Sequence, residues 1–143
     1  ERMVGDPASF LPHGLSFRFV DRVLELVPGE RVLALKNVTA NDPHLQDHFP
    51  GNPLMPGVLL VESMAQTAGL LLPEGSSAFL AQIKEARFRA PVIPGDQIRI
   101  EAVRRGGLSD LHRFEVAALV NGTPAAEAEI VLAVVRPNMG SRP

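Results

Sequence analysis

The sequence contains no cysteine, no tryptophan and no tyrosine, and its seven aromatic residues are all phenylalanine. Without cysteine there is no disulfide scaffold, thiolate zinc site, iron–sulfur site or cysteine nucleophile. Neither sign of charge dominates: 14 Lys and Arg stand against 16 Asp and Glu, for a net charge of −2 and a pI near 6.1. No basic surface for nucleic acid is therefore expected. A basic segment followed by an apolar run and a small-residue cleavage site is missing from the first fifteen residues, so no signal peptide is visible and a cytoplasmic protein is expected. What is present is 143 residues with 45% hydrophobic content, enough for one domain over 1–143 with a single core.

One long apolar run needs its own account. Leu54–Leu72 is nineteen residues with a single formal charge, which meets the length test for a membrane span. Its content argues otherwise, because Pro56 and Gly57 stand near its start and Glu62 and Gln66 lie one helical turn apart near its middle. In lipid that carboxyl would have little to satisfy it. No membrane association is expected, and a helix apolar on nearly all sides is one surrounded by protein.

The remaining chain reads as strands. Phe17–Val27 and Glu30–Ala40 flank Pro28-Gly29 and predict a hairpin. Asn41–Pro53 holds too many prolines and glycines for a regular element and predicts a loop. Pro56 suits the first turn of a helix over Gly57–Leu72, which Pro73-Glu74-Gly75 ends. Four β-type runs follow: Ala78–Arg89, Asp96–Arg105, Leu111–Asn121 and Ala125–Val135, with turns expected at Pro91–Gly95, Gly106-Gly107 and Asn121-Gly122. In Gln97–Ala102, apolar and polar residues alternate strictly, as in a strand with one buried face. The simplest packing is an α+β arrangement: an antiparallel sheet of about six strands curled around one apolar helix.

The chemical candidates are few. Glu62, in mid-helix, either lies on the polar stripe of a partly exposed helix or is a buried carboxyl that needs partners or a proton. Gln66, at i+4, can hydrogen-bond it. His48 sits in a loop held by prolines on both sides that leads into the helix N-terminus, where the N–H groups of Gly57 and Val58 can polarise a carbonyl oxygen. Gly57 has no side chain to keep a substrate away. Imidazole as base, carboxyl as acid and backbone donors at an oxyanion together make a site for removing a proton next to a carbonyl.

The string His48-Phe49-Pro50-Gly51-Asn52-Pro53-Leu54-Met55-Pro56-Gly57-Val58-Leu59, followed by Glu62-Ser63-Met64-Ala65-Gln66, resembles the β-hydroxyacyl-acyl-carrier-protein dehydratases of type II fatty-acid synthesis. So do Phe19–Leu26, Lys36–Thr39 and Arg87–Gln97, and the resemblance runs from about Leu11 to Val135. It implies a hot-dog fold, with His48 at the position of the catalytic histidine and Glu62 at that of the catalytic acid. It also implies that the Gly57 N–H binds the thioester carbonyl and that Gln66 holds the acid. The implied partners are an acyl carrier protein and a second copy of the chain, with the site shared across a homodimer and trimers of dimers common; no cofactor is implied. Relatives that also isomerise the double bond carry Asp at the Glu62 position, so Glu62 favours simple dehydration. In this reading neutral His48 takes the C2 proton while Glu62, kept protonated by burial, donates to the departing C3 hydroxyl.

Several positions depart from the family pattern. Gly14-Leu15-Ser16 replaces Arg-Tyr-Pro after Leu11-Pro12-His13, and in some members that tyrosine gates the acyl tunnel. Asp47 replaces the glycine before the histidine, a charge expected to raise the His48 pKa. His44 replaces an aromatic residue. His44 and His48 around Asp47 invite a metal site, but a proline-rich loop is not a helix and no third ligand is evident, so no metal is expected. His13 matches a structural position, and His112 reads as a surface or paired residue in a strand. Residues 84–105 carry a net charge of +3, from six basic against three acidic side chains, which suits either an acidic carrier or a solvated strand face. Two other functions remain open on the sequence: an acyl thioesterase of the same fold, in which Glu62 activates water, and a non-catalytic acyl-binding module.

Overall fold

The computed structural model describes residues 19–40 and 55–135. The strands are β1 (Arg22–Val27), β2 (Arg31–Asn37), β3 (Ser77–Phe88), β4 (Gln97–Leu108), β5 (Leu111–Val120) and β6 (Thr123–Val135), and the helix, α1, spans Gly57–Gly69. The strands form one sheet in the order β1-β2-β4-β5-β6-β3, every pair antiparallel. This is the α+β, hot-dog arrangement expected from the sequence, with α1 packed against β2, β4, β5, β6 and β3.

Alternation decides which face of the sheet meets the helix. In β4, Ile98, Ile100 and Ala102 are wholly buried while Gln97, Arg99 and Glu101 are exposed, and Phe114, Val116 and Ala118 continue that inner face on β5. On α1, Leu60, Val61, Met64, Ala65 and Ala68 close the same core. Such period-2 and helical patterns are enough to specify the pairing register, since a one-residue slip would turn an entire strand inside out.

Three expectations need correction. The first strand begins at Arg22, with residues 19–21 outside it and Phe17 and Arg18 outside the described residues: the N–H and carbonyl of Phe19 are taken by side chains of α1 and not by a neighbouring strand. The second strand is correspondingly short, and Val38 leaves it to pair with Gly95 and Asp96. Gly106-Gly107 is not a turn. Both residues lie within β4, where the register shifts between Arg104 and Gly106, and the chain reverses at Ser109-Asp110 instead. Gly106 supplies a φ of 134° that makes the bulge, and a Cβ on Gly107 would fall 2.5 Å from the Leu111 carbonyl oxygen. At Asn121-Gly122, by contrast, the expected hairpin is present, with φ of 52° and 80° as a type I′ turn requires.

The helix also ends earlier than Leu72. Pro56 is its N-cap residue rather than part of its first turn, and its carbonyl accepts the N–H groups of Leu59 and Leu60. Past Gly69, Leu70, Leu71 and Leu72 donate to Thr67, Ala68 and Gly69, the tighter i→i+3 pattern that often finishes a helix. Leu71 and Leu72 stay buried.

Candidate active site

Pro56 has no N–H and its side chain cannot cap, so the first N–H groups of α1, at Gly57 and Val58, receive no bond from the N-cap side chain. Those groups carry the positive end of the helix dipole. Below them runs a stripe of residues four apart. Val58 is 73% exposed, Glu62 is half-buried and Gln66 is 3% exposed, so the stripe passes from the surface into the core in two turns. Glu62 lies about 6 Å along the axis from Val58.

Gln66 does what the sequence predicts, donating from Nε2 to Glu62 Oε2 at 2.9 Å. Its Oε1 accepts the main-chain N–H of Phe19 at 2.9 Å, a contact that spans 47 residues of sequence. The structure therefore brings Glu62 and Gln66 together on the helix that begins at Gly57 and Val58. His48, with His44, Asp47, His13 and Gly14-Leu15-Ser16, lies outside the described residues. Among the described residues no three His, Cys, Asp or Glu cluster as metal ligands.

At Gly57 the structure adds a neighbour that the sequence does not indicate. The space a Cβ would occupy there is bounded by the Phe88 ring, whose Cε1 and Cζ would lie 3.1 and 3.2 Å away. The ring is itself half-exposed, so Phe88 forms a wall beside the helix N-terminus rather than a plug. Composition gave no hint of this, because Phe88 ends an edge strand more than thirty residues away in the chain.

The remaining candidates fall elsewhere. His112 sits at the opposite end of α1, beside Leu71 and Leu72 at a cavity of about 380 Å³. Arg104 Nε donates to its Nδ1 at 3.2 Å, which makes Nδ1 the acceptor, and burial followed by the Arg104 charge holds its pKa below 6.5 despite Asp110. The net positive stretch over 84–105 is largely neutralised across strands: Lys84 pairs with Glu129, Arg89 with Glu127 and Arg105 with Glu115. A groove of about 450 Å³ on the sheet is lined by several of these charged side chains and by none of the candidate site residues.

An uncapped helix end above a carboxyl that accepts an amide N–H is a place to hold a carbonyl and move a proton. Comparison shows the family: a FabA-like domain matches residues 11–129, and the chain belongs to that family. Among curated relatives, the 3-hydroxyacyl-acyl-carrier-protein dehydratase FabZ of Geobacter metallireducens is 43% identical over 134 residues, covering 89% of each chain. FabZ of Polynucleobacter asymbioticus is 49% identical over 129 residues, covering 87% of each. Among solved structures, the dehydratase heterocomplex ApeI:P from Xenorhabdus doucetiae superposes with a TM-score of 0.81 at 16% identity over 94% of each chain, a likeness of fold.

Proposed function

We propose that the protein dehydrates 3-hydroxyacyl thioesters of acyl carrier protein to trans-2-enoyl thioesters in fatty-acid elongation, acting as a hydro-lyase without a cofactor. One observation carries the reading: Glu62, held by Gln66, lies one turn below the uncapped N–H groups of Gly57 and Val58, in a chain that shares 43 to 49% identity with FabZ dehydratases.

The thioester carbonyl accepts the Gly57 N–H, with Val58 beside it, which spreads the charge that develops when C2 loses its proton. One such donor contributes about 2.7–4 kcal/mol to the barrier. Neutral His48 takes the C2 proton, Glu62 in its acid form gives a proton to the C3 hydroxyl, and the C3–O bond breaks as the C2–C3 double bond forms. Water and the enoyl thioester leave, and the proton held by His48 returns to Glu62 before the next turnover. The Phe88 ring, against Gly57, bounds the acyl chain near its thioester end.

The active unit is a homodimer in which the histidine of one subunit meets the acid of the other. Support comes from β3, a twelve-residue strand hydrogen-bonded on one side to β6 and standing at the sheet edge on the other. Phe79, Ile83 and Phe88 are each 45–53% exposed along it. A long edge strand bearing exposed apolar side chains is a template for pairing with another chain. We read the protein as a cytoplasmic enzyme; among the described residues no helix is long and apolar enough to cross a membrane.

The test is incubation with a 3-hydroxyacyl carrier substrate and mass spectrometry of the product. Loss of one water, abolished in folded His48→Ala and Glu62→Gln variants, is the expected result. Release of free acid instead of enoyl thioester would mark a thioesterase, and binding without turnover a non-catalytic module.

A further inference from the structure

Burying a polar side chain is costly unless it is hydrogen-bonded, and among the described residues only Lys36, Ser63, Gln66 and Thr67 are buried in this way. All four belong to one system. Gln66 links Glu62 to the main chain of Phe19, and the Ser63 hydroxyl, wholly buried, donates to the carbonyl of the same Phe19. The Thr67 hydroxyl donates at 2.8 Å to the Ser63 carbonyl. Lys36 Nζ stands 3.5 Å from Asp21 Oδ2, an oxygen that also accepts the Asn37 N–H at 2.7 Å. The Asp21 N–H donates to Leu35 at 2.8 Å. The segment 19–21 is thus pinned to α1 at one end and to β2 at the other.

The polarity of these bonds has a chemical consequence. A main-chain N–H can only donate, so Phe19 fixes the Gln66 amide with its oxygen toward the segment and its NH₂ toward Glu62. That NH₂ in turn can only donate, so Glu62 Oε2 is an acceptor in either protonation state. We propose that segment 19–21 is the device that orients Glu62, that Ser63 is a positioning residue acting through Phe19 and Gln66, and that the proton Glu62 delivers is carried on Oε1. The inference rests on Glu62 being the acid of the proposed dehydration.

A double-mutant cycle tests it. Ser63→Ala lowers kcat by about tenfold to a hundredfold with little change in KM, as a misplaced acid should. Added to Gln66→Leu it produces no further loss, since both remove the same link. A second readout needs no turnover: in labelled protein Glu62→Gln displaces the Gln66 side-chain amide resonances, and this response shrinks in a Ser63→Ala background. If Ser63→Ala does not fold, Lys36→Met applies the same comparison from the other end of the segment. Losses that multiply in the double variant, or a Gln66 response unchanged in a folded variant, overturn the inference. Failure of the wild-type protein to form enoyl product overturns the proposed function instead, and the resonance comparison still decides whether the segment holds Glu62.

Discussion

In α1 the residues before Ser63 are the more apolar, four of the six being Val or Leu, yet the fold buries the residues from Ser63 onward more completely. The first half leaves Val58 at the surface, Leu59 and Glu62 half-buried and the first N–H groups uncapped. The second half, Ser63 to Ala68, is buried without interruption and satisfies its polar side chains within the chain. An apolar sequence therefore does not imply a uniform role. The buried half supplies rigidity, and the open half spends that rigidity on presenting a carboxyl and two backbone donors.

If the halves are so divided, substitutions in them should separate activity from stability. The largest effect belongs to Glu62→Gln: enoyl formation falls by about 10²–10⁴-fold, while the denaturation midpoint hardly moves, as kinetics and urea unfolding on one preparation will show. Met64→Ala does the reverse. Its side chain is 1% exposed, so truncation costs about 2–5 kcal/mol in unfolding free energy while turnover per folded molecule is kept. A Met64→Ala protein that is stable but inactive would break the division.

A smaller effect probes the wall at the open end. Gly57→Ala brings a methyl group against the Phe88 ring and lowers kcat/KM; in a Phe88→Leu background the same change is milder, with a coupling of about 1 kcal/mol. Equal losses in both backgrounds would mean that the substrate, not Phe88, is what the glycine accommodates.

The smallest effect lies at the far end of the helix. His112 has a folded pKa below its ordinary 6.5, so below that pH the unfolded chain binds the proton more readily than the native one. Stability is at its full value above pH 6.5, declines as pH falls toward the folded pKa, and then levels off with respect to this group. Unfolding curves of His112→Gln should lack that segment of the decline while retaining wild-type turnover at neutral pH.

Much of this was legible beforehand. The alternation in Gln97–Ala102, the Asn121-Gly122 turn and the prolines around α1 located their elements, since each depends on a few neighbouring residues. Glu62 and Gln66 were legible as a pair because i and i+4 share a helical face. Gly106-Gly107 misled, because glycine permits both a turn and a bulge, and what decides between them is the partner strand. Phe17–Val27 misled at its start for the same reason: Phe19 has a strand-like neighbourhood, but its main-chain groups face α1.

Local periodicity, breaker residues and a long family motif determined by themselves the order of the elements, the family and the residues proposed to bear the chemistry. Tertiary structure decided that Phe88 bounds Gly57, that β3 takes the edge of the sheet, that Lys36 meets Asp21, and that Phe19 meets both Ser63 and the Gln66 that donates to Glu62. The physical reason is separation along the chain. A contact that spans 47 residues, as between Phe19 and Gln66, leaves no periodic trace in the sequence and exists only once the core has drawn its ends together.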